Sequence, residues 1–174
     1  MSEEKVGSRR IYEGRVVSLR IDNVRINNKT IVREIVEHPG ASAVVPLTTD
    51  GKVILVNQYR HAAGIELLEI PAGTIKHGES PEECAMRELQ EETGYVALSL
   101  ELLGSIYPSP GYSNEVIHIY IAKVGSYVGQ NTEPDENIKV IYLSLDDAVK
   151  MIKERKIKDA KTIVGLMLTY TLFR

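Results

Sequence analysis

This sequence of 174 residues lacks tryptophan, has a single cysteine, Cys84, and shows no excess of basic residues. One cysteine cannot form a disulfide within the chain, which fits a reducing compartment. The 21 Lys and Arg residues are outnumbered by 24 Asp and Glu residues, whereas nucleic-acid-binding domains usually carry a strongly basic surface. The most apolar stretch, at 163–173, is too short to cross a bilayer. We therefore expect a cytoplasmic protein that binds neither nucleic acid nor a membrane.

The segments that are present predict a mixed α/β fold. β-prone residues run from Tyr12 to Val36 and are interrupted by Asn27-Asn28, a pair that tolerates the positive φ of a tight hairpin turn. Helices are predicted at 145–154 and 159–173, the latter with an apolar face of Ile163, Leu166, Met167 and Tyr170. Further strands are predicted at 41–48, 52–60, 66–70, 99–107, 115–124 and 138–144. This irregular order favours a mixed sheet between helices over a doubly wound parallel sheet.

Another helix is predicted at 81–93, because both of its ends carry capping signals. Ser80 is a good N-cap, Pro81 suits the first helical position, and Glu83 completes a capping box. Gly94 stands where a left-handed residue commonly ends a helix. Ala85 and Leu89 are four residues apart and are expected to face the core.

The same helix carries an unusual concentration of acid. Residues 73–95 contain six glutamates against only Lys76 and Arg87. Glu88 and Glu92 lie on one helix face, where like charges cost roughly 0.2–0.5 kcal/mol per pair. Arg87 is expected to pair with Glu83 or Glu91 and to point away from Glu88. A solvated acidic face is the ordinary explanation, but a hard divalent cation such as Mg²⁺, which prefers carboxylate and carbonyl oxygens, would resolve the repulsion.

The segment GTIKHGESPEECAMRELQEETGY, at 73–95, resembles the Nudix box. The matching positions are Gly73, Glu79, Arg87, Glu88, Leu89, Glu91, Glu92 and Gly94. Tyr95 departs from the pattern, which usually has an aliphatic residue there. The resemblance implies a Nudix α/β/α sandwich around a mixed β-sheet, with an N-terminal antiparallel β-hairpin extension. It also implies Mg²⁺-dependent hydrolysis of a nucleoside diphosphate linked to another moiety.

Segments outside the box resemble the ADP-ribose pyrophosphatase branch of that family. They are QYR at 58–60, EIPAG at 69–73 and YPSPGYSNE at 107–115, which places Pro110 sixteen residues after Gly94. The resemblance implies cleavage of ADP-ribose to AMP and ribose 5-phosphate. It also implies an N-terminal extension at 1–40 that forms a homodimer, followed by a hydrolase domain at 41–174. The alternatives are another nucleoside diphosphate sugar, such as ADP-glucose or GDP-mannose, and a non-catalytic sensor of ADP-ribose.

The resemblance also assigns metal-binding and structural roles. Glu88 and Glu92 are the expected principal metal ligands, with Glu91 nearby and the Ala72 backbone carbonyl as a further ligand. The expected ion is Mg²⁺, with Mn²⁺ or another divalent cation as alternatives. Glu79 is expected to pair with Arg87 and fix the loop to the helix, with a metal role as the alternative. The residues given structural roles are Gly73, Glu79, Arg87 and Gly94.

A general base is expected in the acidic loop GQNTEPDENIK at 129–139. Glu136, just before the strand predicted near Ile138, is the first choice, and Glu133 and Asp135 are alternatives. An ordinary acidic turn would look the same in sequence. If the loop does not supply the base, Glu91 on the helix is the next choice.

Substrate contacts are expected on both sides of the box. Arg60 is expected to hold a phosphate, because a guanidinium fork suits phosphate oxygens. Glu34 and Glu115 are expected to hydrogen-bond the ligand, and some relatives carry an arginine where this chain has His38. The remaining predicted contacts, in the YPSPGYSNE segment, are Pro110 and Gly111. Cys84 is expected to be a packing residue, because nothing pairs it with a base.

Overall fold

The computed structural model describes residues 3–132 and 137–173. The chain forms two compact units. Residues 1–40 and 107–116 form the first unit, and residues 41–106 and 117–174 form the second.

The first unit contains a three-stranded antiparallel sheet in the order β1-β2-β3, with strands β1 (Glu4–Glu13), β2 (Ser18–Ile26) and β3 (Lys29–Glu37). Asn27 and Asn28 have φ values of 45° and 64° and form the turn between β2 and β3. Positive φ at both positions is what a two-residue hairpin turn requires, so the predicted hairpin is confirmed. Strand β1 was not predicted as a separate strand, because almost all of its residues are exposed and they show no alternation of buried and polar positions.

The second unit is built on a seven-stranded sheet. Its strands are β4 (Ala41–Leu47), β5 (Lys52–Arg60), β6 (Ile65–Glu69), β7 (Ala72–Thr74), β8 (Tyr95–Ile106), β9 (Ile117–Tyr127) and β10 (Lys139–Ser144). The main order is β10-β5-β4-β9-β8, with β6 paired to β5 and β7 paired to β4. Strands β4 and β9 run parallel and the other neighbours run antiparallel, so the predicted mixed sheet is confirmed.

Among the described residues, three helices cover the two faces of this sheet: α1 (Pro81–Thr93), α2 (Leu145–Lys153) and α3 (Ala160–Leu172). Successive residues of β4 point to opposite faces. Val44 packs with Ala85 and Leu89 of α1, whereas Val45 packs with Leu166 of α3 and Ala148 of α2. The sheet therefore lies between α1 on one face and α2 with α3 on the other, which is the predicted α/β/α sandwich.

The buried face of α3 differs from the predicted apolar face. Thr162, Gly165, Leu166 and Thr169 are buried, whereas Met167 is 36% exposed. A Cβ at Gly165 would lie 3.0 Å from side-chain atoms of Ile70 and Val45, so the helix approaches the sheet closely there. The Thr169 hydroxyl donates to the Gly165 carbonyl at 2.9 Å. Beside the correctly predicted Leu166, small and internally bonded side chains thus form the contact, which apolar periodicity does not predict. No helix in the described ranges has both the length and the apolar character needed to cross a membrane.

Candidate active site

Helix α1 is fixed at both ends by the residues that the sequence indicated. The Ser80 hydroxyl accepts from the Glu83 N–H at 3.2 Å, and the Glu83 carboxylate accepts from the Ser80 N–H at 2.8 Å. Gly94 has φ 78° and its N–H donates to the Gln90 carbonyl at 2.8 Å. The predicted capping box and C-terminal glycine are therefore confirmed. The buried Ser42 of β4 adds a tie by donating to the Pro81 carbonyl at 2.7 Å.

Gly73 of β7 lies directly beneath the carboxylate of Glu88. A Cβ at position 73 would lie 1.9 Å from Glu88 Oε1 and 2.2 Å from Glu88 Cδ. Any other residue would push this carboxylate away from the strand. The glycine at this position is thus explained by the close approach of an acidic side chain to the backbone.

Arg87 is the centre of the charged groups on this helix. Its Nε and Nη2 bind the two carboxylate oxygens of Glu79 at 2.7 and 3.0 Å. Its Nη1 binds Glu88 Oε1 at 2.5 Å and Glu91 Oε2 at 3.0 Å. The predicted Glu79–Arg87 ion pair is present. The prediction that Arg87 points away from Glu88 is wrong, because its Nη1 binds the Glu88 carboxylate. The long side chain also reaches the β7 backbone, where Nη2 lies 3.3 Å from the Thr74 carbonyl.

Glu92 is held in the interior at the other side of this group. Its side chain is only 2% exposed, and its Oε2 accepts from the Ala72 N–H at 3.1 Å. This bond links the last turn of α1 to β7. Within the described part of the chain, no three His, Cys, Asp or Glu side chains are already arranged as a metal cluster.

The oxygen donors of α1 and β7 nevertheless have the chemistry that a hard divalent cation needs. Carboxylates are supplied by Glu88, Glu91 and Glu92, and Ala72 has a backbone carbonyl on the neighbouring strand. Because Gly73 has no Cβ, the Glu88 carboxylate can lie against the β7 backbone. Mg²⁺ and similar ions bind one or two carboxylates and keep several waters, so they do not need a complete cage of protein ligands. The residues present therefore fit such an ion.

The segment 128–131 is bonded to the C-terminal end of α1. The Val128 N–H donates to the Gly94 carbonyl at 2.7 Å, and the Asn131 N–H donates to the Glu91 carbonyl at 3.0 Å. The Gln130 side chain donates to the Glu92 carbonyl at 2.6 Å. These bonds satisfy carbonyls that a helix end leaves without intrahelical partners. The segment leads into the predicted base positions, and Glu133, Asp135 and Glu136 themselves lie outside the described residues.

Arg60 is bound by a buried carboxylate that sequence reasoning did not single out. Its Nε and Nη2 each lie 2.8 Å from an oxygen of Glu69, which is 1% exposed. Lys161 of α3 also binds Glu69 and lies 3.1 Å from Asp159. Burial alone raises the pKa of Glu69, but the Arg60 hydrogen bond and the Lys161 charge outweigh burial and lower it. The only sign of Glu69 in the sequence was its place at the end of a predicted strand. The phosphate-binding role of Arg60 stays a prediction.

In the first unit, the loop 107–116 joins the end of β3. The Val36 N–H donates to the Tyr112 carbonyl at 2.8 Å, and Asn114 Oδ1 accepts from the His38 N–H at 2.8 Å. His38 Nδ1 lies 3.6 Å from Glu115 Oε1. The structure thus brings together two of the predicted ligand contacts.

The other predicted contacts of the first unit lie at its surface. Glu34 is exposed on β3, and Pro110 and Gly111 are exposed in the turn of the 107–116 loop. Their roles in substrate binding stay predictions.

Cys84 is a packing residue of α1. Its side chain is fully buried, and burial raises the pKa of the thiol to about 11. A thiol with that pKa is almost entirely protonated at neutral pH and is a poor nucleophile.

A capped helix that directs carboxylates over a glycine-containing strand, within an α/β/α sandwich, defines a class of metal-dependent hydrolase domains. The chain belongs to the Nudix family: the NUDIX domain model matches residues 36–164.

Several curated relatives match almost the whole chain, including the following two. The methanol dehydrogenase activator of Bacillus methanolicus is 43% identical over 168 residues, covering 94% of this chain and 90% of that protein. The ADP-ribose pyrophosphatase of Bacillus subtilis (strain 168) is 40% identical over 169 residues, covering 95% and 91%. The crystal structure of an ADP compounds hydrolase has a TM-score of 0.85 at 22% identity and covers 98% of this chain and 94% of that chain. At that identity the structural likeness supports the fold alone.

The Glu79–Arg87 pair predicts a specific loss of stability in acid. Arg87 lowers the pKa of Glu79 from 4.5 to about 2. Because the folded-state pKa lies below the unfolded value, the stabilisation is fully present above about pH 4.5 and is lost as the pH falls towards about 2. The difference in unfolding free energy between the wild type and Glu79→Gln should therefore shrink from about pH 6 to about pH 2 in urea titrations. A difference that stays constant over this range would contradict the assignment.

Proposed function

We propose that this chain is a cytoplasmic ADP-ribose pyrophosphatase that uses a divalent cation, Mg²⁺ in the first instance. The products would be AMP and ribose 5-phosphate. The observation that carries this proposal is the 40% identity, over nearly the full chain, to the Bacillus subtilis enzyme of that name. The carboxylates of α1 beside Gly73 support it, because they provide the hard oxygen donors that the reaction needs.

Glu88, Glu91, Glu92 and the Ala72 carbonyl would hold the cation. When bound, the ion supplies positive charge that offsets the diphosphate and acidifies an attacking water. The protein itself has to position these oxygens, and the bond between the Ala72 N–H and Glu92 fixes two of the donors relative to each other. Placement therefore accounts for most of the protein's contribution to this reaction.

A carboxylate would take the proton from the attacking water. Glu136 is the proposed base, with Glu133 and Asp135 as alternatives in the same loop. The support is the bonding of Gln130 and Asn131 to the carbonyls of Glu92 and Glu91, since it ties the start of that loop to the helix that carries the metal-binding carboxylates.

Substrate-contact roles are proposed for Arg60 of the second unit and, separately, for residues of the first unit. Arg60 would bind a phosphate of the substrate, and its guanidinium plane is fixed for this purpose by Glu69. In the first unit, Glu34, His38 and Glu115 would hydrogen-bond the ligand. Pro110 and Gly111 would also contact it.

A substrate panel with Mg²⁺ tests this function. ADP-ribose, ADP-glucose and GDP-mannose are incubated with the wild type, and the products are identified by chromatography. We expect AMP and ribose 5-phosphate from ADP-ribose, loss of activity on chelation, and a fall of at least about 10²-fold in kcat for Glu92→Gln. Glu82→Gln, the same change at an exposed position of α1, is the matched control and should be fully active.

Three results would overturn parts of this assignment. Faster hydrolysis of ADP-glucose or GDP-mannose would move the assignment to another nucleoside diphosphate sugar. Binding of ADP-ribose without cleavage would identify a sensor. Full activity of Glu92→Gln would refute the metal-ligand role.

The general base is tested by separating kcat from affinity. Glu136→Gln should lower kcat by about 10²–10⁴-fold while leaving ADP-ribose affinity nearly intact, because the base acts only in the transition state. Single-turnover rates and equilibrium binding provide the two measurements. An inactive Glu133→Gln beside a fully active Glu136→Gln would assign the base to Glu133, and small effects in both would return it to Glu91.

We also propose a homodimer formed through the N-terminal strands. Apolar side chains that are more than 40% exposed on these strands support it: Val6, Ile11, Tyr12 and Val32. Light scattering at micromolar concentration should give twice the chain mass, and Val32→Glu should shift the protein towards the monomer. A fully active monomeric wild type would contradict the dimer.

A further inference from the structure

Two of the three proposed carboxylate ligands share a partner that already carries positive charge. Arg87 Nη1 binds both Glu88 at 2.5 Å and Glu91 at 3.0 Å. A divalent cation bound by the same carboxylates must compete with this guanidinium. We propose that Arg87 is an exchangeable counter-ion of the metal site, which holds Glu88 and Glu91 in the metal-free protein and releases them when the ion binds. This inference rests on the metal dependence proposed above.

The guanidinium has two separate sets of contacts, which makes such an exchange feasible. Glu79 occupies Nε and Nη2, whereas Glu88 and Glu91 occupy Nη1. Loss of the Nη1 contacts leaves the two bonds to Glu79 intact. Arg87 can therefore release the metal ligands without leaving the loop that it fixes.

The exposure of these groups indicates that the competition is significant. The side chains of Arg87 and Glu88 are only 19% and 12% exposed, so water screens their attraction weakly. A hydrogen bond to a charged group contributes more to stability than one between neutral groups. We therefore expect metal affinity to be higher when Glu79 holds Arg87 firmly and lower when Glu88 and Glu91 hold it firmly.

This competition gives Arg87 and Glu79 opposite effects on metal affinity. In Arg87→Met the competing cation is absent, so a metal ion no longer has to displace it from Glu88 and Glu91. In Glu79→Gln the guanidinium loses its charged anchor and is held more firmly by Glu88 and Glu91. We expect Mn²⁺ affinity to rise about tenfold in the first variant and to fall about tenfold in the second.

Isothermal titration calorimetry with Mn²⁺ and no substrate measures these affinities directly. Two controls correct for the change in net charge. Lys76→Met removes an exposed positive charge from the same loop, and Glu82→Gln removes an exposed negative charge from the same helix. Each should change Mn²⁺ affinity much less than its counterpart. Urea unfolding in the absence of metal adds a second readout, in which Arg87→Met should be less stable than the wild type.

The outcomes distinguish the exchange from a purely structural role. If Arg87 only fixes the loop, both variants break the same ion pair, and Mn²⁺ affinity falls in both. That result, or an effect no larger than in the matched controls, would overturn the exchange while leaving the proposed metal dependence intact. A wild type that binds no Mn²⁺ would refute the metal dependence and the exchange together. Should Arg87→Met fail to fold, a rise in affinity for Glu79→Gln relative to Glu82→Gln would still overturn the proposal.

Discussion

Like charges have to be kept close together on α1 without unfolding the helix that carries them. Glu88 is at helical spacing from Glu91 and Glu92, so these like charges repel, and the Arg87 guanidinium and the Ala72 backbone N–H help to offset this repulsion. The helix can tolerate the arrangement because its ends are independently secured by the Ser80 capping box and by Gly94. The caps at both ends therefore stabilise the helix against the repulsion within its acidic cluster.

Strand β4 conveys this local arrangement to the rest of the second unit. It pairs with β5, β7 and β9, and its alternating residues contribute to the cores on both faces of the sheet. Ser42 of the same strand holds the first turn of α1. A change in the packing of β4 would thus move the helix and the β7 backbone together. Glu92 and Ala72 would both shift, but the distance between them would change little.

Short-range patterns predicted much of this architecture, while side-chain reach was poorly predicted. The caps of α1, the Asn27-Asn28 turn and the apolar strands follow from neighbouring residues and were correctly predicted. The contact of Arg87 with Glu88 was not, because helical spacing describes where a side chain starts and not where a long one ends. Strand β7 was not predicted either, because its three residues are too few to show a periodic pattern.

Interactions between distant segments were the other omission. Glu69 binds both Arg60 of β5 and Lys161 of α3, and Lys161 lies 92 positions further along the sequence. No local pattern indicates such a partner. The close contact at Gly165 misled the prediction for the same reason, since a glycine in a helix says nothing about which strand lies against it. The hydrogen bonds of Gln130 and Asn131 to α1, just before the predicted base residues, are likewise indicated by no sequence motif.

The lone thiol of this chain is well placed to serve as a chemical reporter. Cys84 lies on the inner face of α1, is fully buried and is protonated at neutral pH. A thiol-specific reagent can reach it only when the helix separates from the sheet, so its labelling rate measures the frequency of that local opening. Since the protein has no second cysteine, a colorimetric thiol assay would report the opening of the acidic helix at this one position, without any engineered label.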